Sequence, residues 1–194
     1  MKDDNRTAVL DAIMTRRSVR NYADRQIPDD VVNRIIRAGI QAPTALNLQP
    51  WAFVVVQDRA FLDQVSDYCV PIMLKGMEQS RGGISDEFRA LLATEGYSIY
   101  YRAPTVIMVV GRTESRFREI DCSLCAENMM LAAHALGVGS CWIGSTEVAY
   151  DNSELMRGFG IPKGYSPVGT IAFGYPAEEP EPHERNEPLV TWVR

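Results

Sequence analysis

Histidine and cysteine are scarce in this sequence: two and four of 194 residues. Cys122 and Cys125 form a C-x-x-C pair, but no second pair or nearby histidine completes a zinc site, and no metal is expected. The pair lies three residues apart on neighbouring faces of a strongly helical stretch. Buried reduced thiols are the expected state there, with a redox pair as the sharper alternative. No histidine or carboxylate sits in a catalytic motif, so no side chain is nominated as general acid or base. Also missing are a dinucleotide Gly-x-Gly-x-x-Gly and a Walker loop. No apolar run approaches the length of a membrane span. Met1-Lys2-Asp3-Asp4 lacks the apolar core of a signal peptide, so a cytoplasmic location is expected. Positive charge is in the minority. The net charge of -5 argues against wholesale binding to nucleic acid or a membrane surface.

What is present suits one domain over residues 1–194, with no internal repeat. Apolar residues make up 46% and charged residues 23%, the balance of a globular protein with a real core. Arg6 to Met14 reads as a helix with Val9, Leu10, Ile13 and Met14 on one face. Ile27-Pro28-Asp29-Asp30 starts a second, which Pro43 stops, and Thr44 to Gln49 forms a loop. Trp51 to Gln57 is apolar on both faces and is expected at the centre of a sheet. A short helix, Phe61 to Tyr68, is followed by two helical pieces around a hinge at Arg81-Gly82-Gly83.

Further strands are expected at Thr105 to Val110, Ser140 to Ile143 and Pro167 to Phe173, with a small helix at Ser153 to Phe159. Asp121 to Leu136 is the strongest helix. It is apolar nearly all round, as a helix buried on more than one side would be, for instance against a second subunit. Asn128 and His134 interrupt it, and both are expected to find hydrogen-bond partners in a core or interface. Ala177 to Pro188 reads as an arm over the surface. Leu189 to Val193 reads as an extended segment that adds to a sheet edge, of this subunit or of another.

Within this acidic chain one basic run stands apart: Arg16-Arg17-Ser18-Val19-Arg20. If extended, it puts Arg16, Ser18 and Arg20 on one face, two guanidiniums flanking a hydroxyl, which suits an anion such as a phosphate. Taken alone, such a cluster is more often a solvated patch. A second stretch changes the balance: Ala42-Pro43-Thr44-Ala45-Leu46-Asn47-Leu48-Gln49-Pro50-Trp51. These two stretches, with Asn128-Met129-Met130-Leu131-Ala132-Ala133, Gly137 to Gly144 and Gly174-Tyr175-Pro176 in the same order, resemble the FMN-dependent nitroreductase family. The likeness covers most of the chain outside roughly 70–102.

The resemblance implies an α+β fold: a mainly antiparallel central sheet flanked by helices, in an intertwined homodimer with FMN at each subunit interface. It implies NAD(P)H as a transient donor of hydride to flavin N5, followed by ping-pong reduction of a nitroaromatic, a quinone or a similar conjugated acceptor. Arg16 and Ser18 match residues that hold the phosphate and ribityl chain, and Arg17 matches a position close by. Arg20 matches the cation at the N1–O2 edge, where negative charge collects on reduction. Pro43, Thr44, Ala45, Asn47 and Gln49 match the segment that reaches the flavin from the partner subunit. Ile143 and Gly144 match the strand end beside the ring near N5, and Arg185 matches a phosphate-binding arginine in the C-terminal arm.

The chain also departs from the family pattern. Thr44-Ala45 stands for Ser-Ser, His183 stands where some members have a phosphate-binding lysine, and Ile143-Gly144-Ser145 lacks a Glu-Gly. Tyr97, Tyr100 and Tyr101 are candidates for lining substrate access. Other reactions of the fold (an ene-reduction or a dehydrogenation) stay open at this point, as does a non-catalytic flavin-binding role.

Overall fold

The computed structural model describes residues 4–79 and 86–194. The expected hinge at Arg81-Gly82-Gly83 lies outside the described residues. The architecture is α+β, built on one antiparallel sheet of four strands: β1 (Trp51–Val56), β2 (Thr105–Arg112), β3 (Gly139–Trp142) and β4 (Tyr165–Gly174), in the order β1-β2-β4-β3. The central strands β2 and β4 run as apolar stretches because both sheet faces are covered. Their side chains alternate between two cores. Val106, Met108 and Val110 face one, with Leu62, Val65 and Ile99. Ile107 and Val109 face the other, with Ile35, Ala126 and Met129.

The first core is roofed by α3 (Arg59–Gln79), the second by α2 (Asp29–Gly39) and α5 (Arg118–Ala135). The α2–α5 contact is close. A Cβ added at Gly39 would sit 2.5 Å from Met129 Cγ, so no larger residue fits without displacement. α1 (Asp4–Thr15), α4 (Asp86–Leu92) and α6 (Ser153–Phe159) complete the helices.

Two expectations are corrected. β1 is an edge strand and not a central one, with Trp51 to Val54 half-buried and Val55 exposed. An apolar run is the mark of a strand covered on both faces, and here this chain supplies only part of the cover. The helix expected to stop at Tyr68 continues to Gln79 through Pro71. Proline forfeits one backbone bond there, while Cys69 is fully buried against the first core. Leu189 to Val193 pairs with no described strand of its own chain, which leaves the sheet edge of another subunit as the expectation for it, and Leu189, Trp192 and Val193 are strongly exposed.

The apolar face of α1 also points outward, with Val9, Leu10, Ile13 and Met14 exposed. Ile120 and Leu124, one turn apart on α5, are exposed as well. No described helix is long and apolar enough to cross a membrane.

Candidate functional site

The basic run leaves α1 through a last helical turn, Arg16 N–H donating to Ala12 O at 3.0 Å. Only then does the chain extend. Ser18 bridges to Ser140 in parallel, and Val19 N–H donates to Ser140 O at 3.0 Å, so the run continues the sheet beyond β3. Because Arg16 is still in the turn, strict alternation begins after it. Arg16 therefore lines the same cavity as Arg17, while Ser18 and Arg20 line a smaller neighbouring one.

The larger cavity, about 620 Å³, is bordered by Arg16, Arg17, His134 and Ser140, with Glu178 and Glu179 from the following arm. Arg17 Nη1 folds back onto Met14 O and Arg16 O, both at 2.8 Å, which caps the end of α1. Arg16 Nε lies 3.6 Å from Glu127 Oε1. His134 Nε2 is 2.8 Å from Thr15 Oγ1. Burial first, and then the two arginines, hold the imidazole below its ordinary pKa. Two buried atoms here lack a hydrogen-bond partner among the described residues: Arg17 Nε and Ser140 Oγ. Free donors and two guanidiniums around open volume suit an oxyanion such as a phosphate monoester.

On the other side, the Arg20 guanidinium lies over the Tyr101 ring, 5.9 Å from its centroid, and Tyr97 packs edge-on to Tyr101 at 6.2 Å. Tyr101 and Arg102 both adopt left-handed backbone, with φ of 53° and 55°. For residues other than glycine this is strained, and such strain clusters at functional sites. Tyr100 has a different place: it is buried in the core, and its hydroxyl lies 3.3 Å from Thr146 Oγ1. Beyond β3, Ile143 N–H donates to Thr170 O at 2.8 Å. Gly144 opens onto free space: beyond its two chain neighbours, no atom of the described residues comes within 4 Å of where a Cβ would stand. Burial pushes the Cys122 and Cys125 thiols up to about 12, the behaviour of core thiols rather than of a redox pair.

The second motif lies apart. Ala45 to Asn47 is a 3₁₀ turn, and Leu46, Asn47 and Gln49 have φ of 53°, 54° and 45°. Ala45 N–H donates to Asp121 Oδ1 at 3.2 Å, at the start of α5, whereas His134 marks its end. At about 1.5 Å per residue the two are separated by about 20 Å along the helix. One chain therefore does not bring Thr44–Gln49 to Arg16–Arg20. Arg185 is exposed and lines neither cavity. His134, Ser140 and Asp121 were not legible as site residues. Each owes its place to a contact with sequence-distant chain, for which no local spacing is a signal.

A model of the nitroreductase family matches residues 13–175, a span that includes the arginine run, the Thr44–Gln49 loop and β3. The chain belongs to the nitroreductase family. Among similar nitroreductases of known structure is one with bound FMN from Bacteroides fragilis NCTC 9343, 31% identical, with 96% of this chain and 98% of that one aligned at a TM-score of 0.78. Another with bound FMN, from Desulfitobacterium hafniense DCB-2, is 25% identical at a TM-score of 0.82, again over 96% and 98% of the two chains. A protein of Methanothermobacter thermautotrophicus, provisionally named an NADH dehydrogenase/NAD(P)H nitroreductase, is 31% identical over 93% of this chain and 83% of its own length. The fold expected from the motifs, an α+β nitroreductase-like sheet flanked by helices, is the fold found.

Proposed function

We propose that this nitroreductase-family oxidoreductase binds FMN and passes reducing equivalents from NAD(P)H to a nitroaromatic, a quinone or another conjugated acceptor. The observation that carries the reading is the cavity bordered by Arg16 and Arg17, where Arg17 Nε and the Ser140 hydroxyl are buried without partners among the described residues. The residues fit a flavin mononucleotide: cations and free donors for its phosphate, Arg20 beside its pyrimidine edge, and open backbone at Gly144 for a planar ring. The FMN-bound relatives and the NAD(P)H nitroreductase name support the choice of cofactor and donor. Bound FMN supplies the hydride chemistry.

The chain's own residues then divide the work. Arg16, Arg17 and Ser18 hold the phosphate and ribityl end, and Arg185, which lines neither cavity in the single chain, would join them only as the C-terminal arm packs in the dimer. Arg20, kept in place by Tyr101, offers fixed positive charge where negative charge develops. Ile143 and Gly144 leave the ring edge accessible. Pro43, Thr44, Ala45, Asn47 and Gln49 act in trans. A two-fold axis that pairs the exposed faces of two α5 helices antiparallel would carry the Thr44–Gln49 loop of one copy toward Arg16–Arg20 of the other. It would also cover Ile120 and Leu124. Residues 1–194 work as one unit of that homodimer, and the acceptor enters over the ring.

The test is a visible spectrum of the purified protein, followed anaerobically by NADH and then NADPH. The reading expects a flavin spectrum that bleaches with at least one nucleotide, and released cofactor identified as FMN. Bound flavin that neither nucleotide bleaches would refute the NAD(P)H donor. A colourless protein that also takes up no added FMN would refute the whole reading.

A further inference from the structure

Asp121 stands out among the buried polar groups. It is 3% exposed, in the first turn of α5. Oδ1 accepts the Ala45 N–H at 3.2 Å, and Oδ2 is buried with no hydrogen-bond partner among the described residues. A buried carboxylate with one oxygen unmatched is a poor way to stabilise a fold, because desolvation is only partly offset. Its presence calls for another account.

That account lies in the loop it holds. Leu46, Asn47 and Gln49 are all left-handed, a pose that non-glycine residues leave readily unless it is held. The loop's other bonds are internal: Asn47 N–H to Thr44 O, Leu48 N–H to Ala45 O, Gln49 N–H to Thr44 Oγ1, and Gln49 Nε2 to Asn47 Oδ1. Among the described residues, Ala45 to Asp121 is the hydrogen bond that ties the loop to α5, which is itself packed on the sheet and on α2.

We infer that Asp121 is a positioning residue for the cofactor site: its carboxylate fixes Thr44 and Ala45 against the start of α5 in the pose that meets the flavin held by a second copy. This rests on the FMN reading above. Asp121 touches neither cavity and acts through the loop alone. Its effect is thus separable from stability, and any side chain that presents an acceptor to Ala45 N–H retains it.

The experiment measures FMN affinity by fluorescence quenching, alongside thermal melting of the cofactor-free protein, for the wild type, Asp121→Ala and Asp121→Asn. Loss of a bond to a charged acceptor corresponds to roughly a 10- to 100-fold change. The expected result is FMN binding weaker by about that factor in Asp121→Ala, with an unchanged or higher melting temperature, and affinity close to wild type in Asp121→Asn. Amide exchange of Ala45 in Asp121→Ala should quicken while the core of α5 stays protected. Wild-type affinity in Asp121→Ala, or a loss matched by a fall in melting temperature, would overturn the inference alone. If the wild type itself takes up no FMN, the cofactor reading falls and this inference falls with it.

Discussion

Replacing Leu124 by aspartate should dissociate the protein and empty it of flavin in one step. Leu124 is 42% exposed in the single chain, in line with Ile120, which is 63% exposed, on a helix whose opposite face is buried in the core. Complete burial of a leucine is worth about 1.5–3 kcal/mol, so covering the exposed part contributes about 1 kcal/mol per copy and about 2 kcal/mol for a two-fold interface. Aspartate removes that gain and adds an unpaired carboxylate to each half, at a cost of several kcal/mol. A total of about 5 kcal/mol raises the dimer dissociation constant by more than about a thousandfold. Sedimentation velocity at micromolar concentration would read the change in mass, and the flavin absorbance left after gel filtration would read the site. A Leu124→Asp protein that stays dimeric would refute the proposed pairing of α5 helices. One that becomes a monomer yet keeps its FMN would refute the sharing of the site between copies.

Three further outcomes are expected. Arg20→Ala should make the reduction potential of bound FMN more negative, because a fixed positive charge beside the pyrimidine edge is lost; a dye-coupled anaerobic titration reads this, and an unchanged potential counts against the assignment of Arg20. His134 has a pKa held below its ordinary value, so the unfolded chain binds that proton more readily. The cofactor-free protein should therefore lose stability as pH falls from the usual histidine range, about 6.5, through the lower folded value, and melting curves of His134→Gln should lack that component. Cys122 and Cys125, with thiols pushed up to about 12, should resist an aromatic disulfide reagent at pH 8 until the protein is unfolded; rapid labelling of the native protein would show that they are not core thiols.

Much of the fold was legible because periodicity reports burial directly. The strands β2 and β4, the helix α5 and the small helix α6 lie where the apolar patterns put them. The same logic misassigned β1, since an apolar stretch looks alike whether its cover comes from its own chain or from elsewhere. It also ended a helix at Tyr68, where α3 runs on through Pro71 to Gln79. At the site, the arginine run and the Thr44–Gln49 loop were visible as motifs. Their separation along α5 was not, because spacing in sequence carries no vector. Asp121 and Ser140 were invisible for a related reason: each is defined by one bond, made or missing, to chain far away in sequence.

The length of α5 between Asp121 and His134 has a consequence for how such a protein behaves on dilution. When one cofactor bridges cation and loop clusters that a single chain keeps at opposite ends of a helix, cofactor binding and self-association become one linked equilibrium. Each flavin then acts as an adhesive between copies, and each copy lost vacates two sites. Apparent cofactor affinity is no longer a constant of the chain: it strengthens with protein concentration and weakens as the protein is thinned out. Flavin content at low expression would accordingly fall faster than the amount of protein itself.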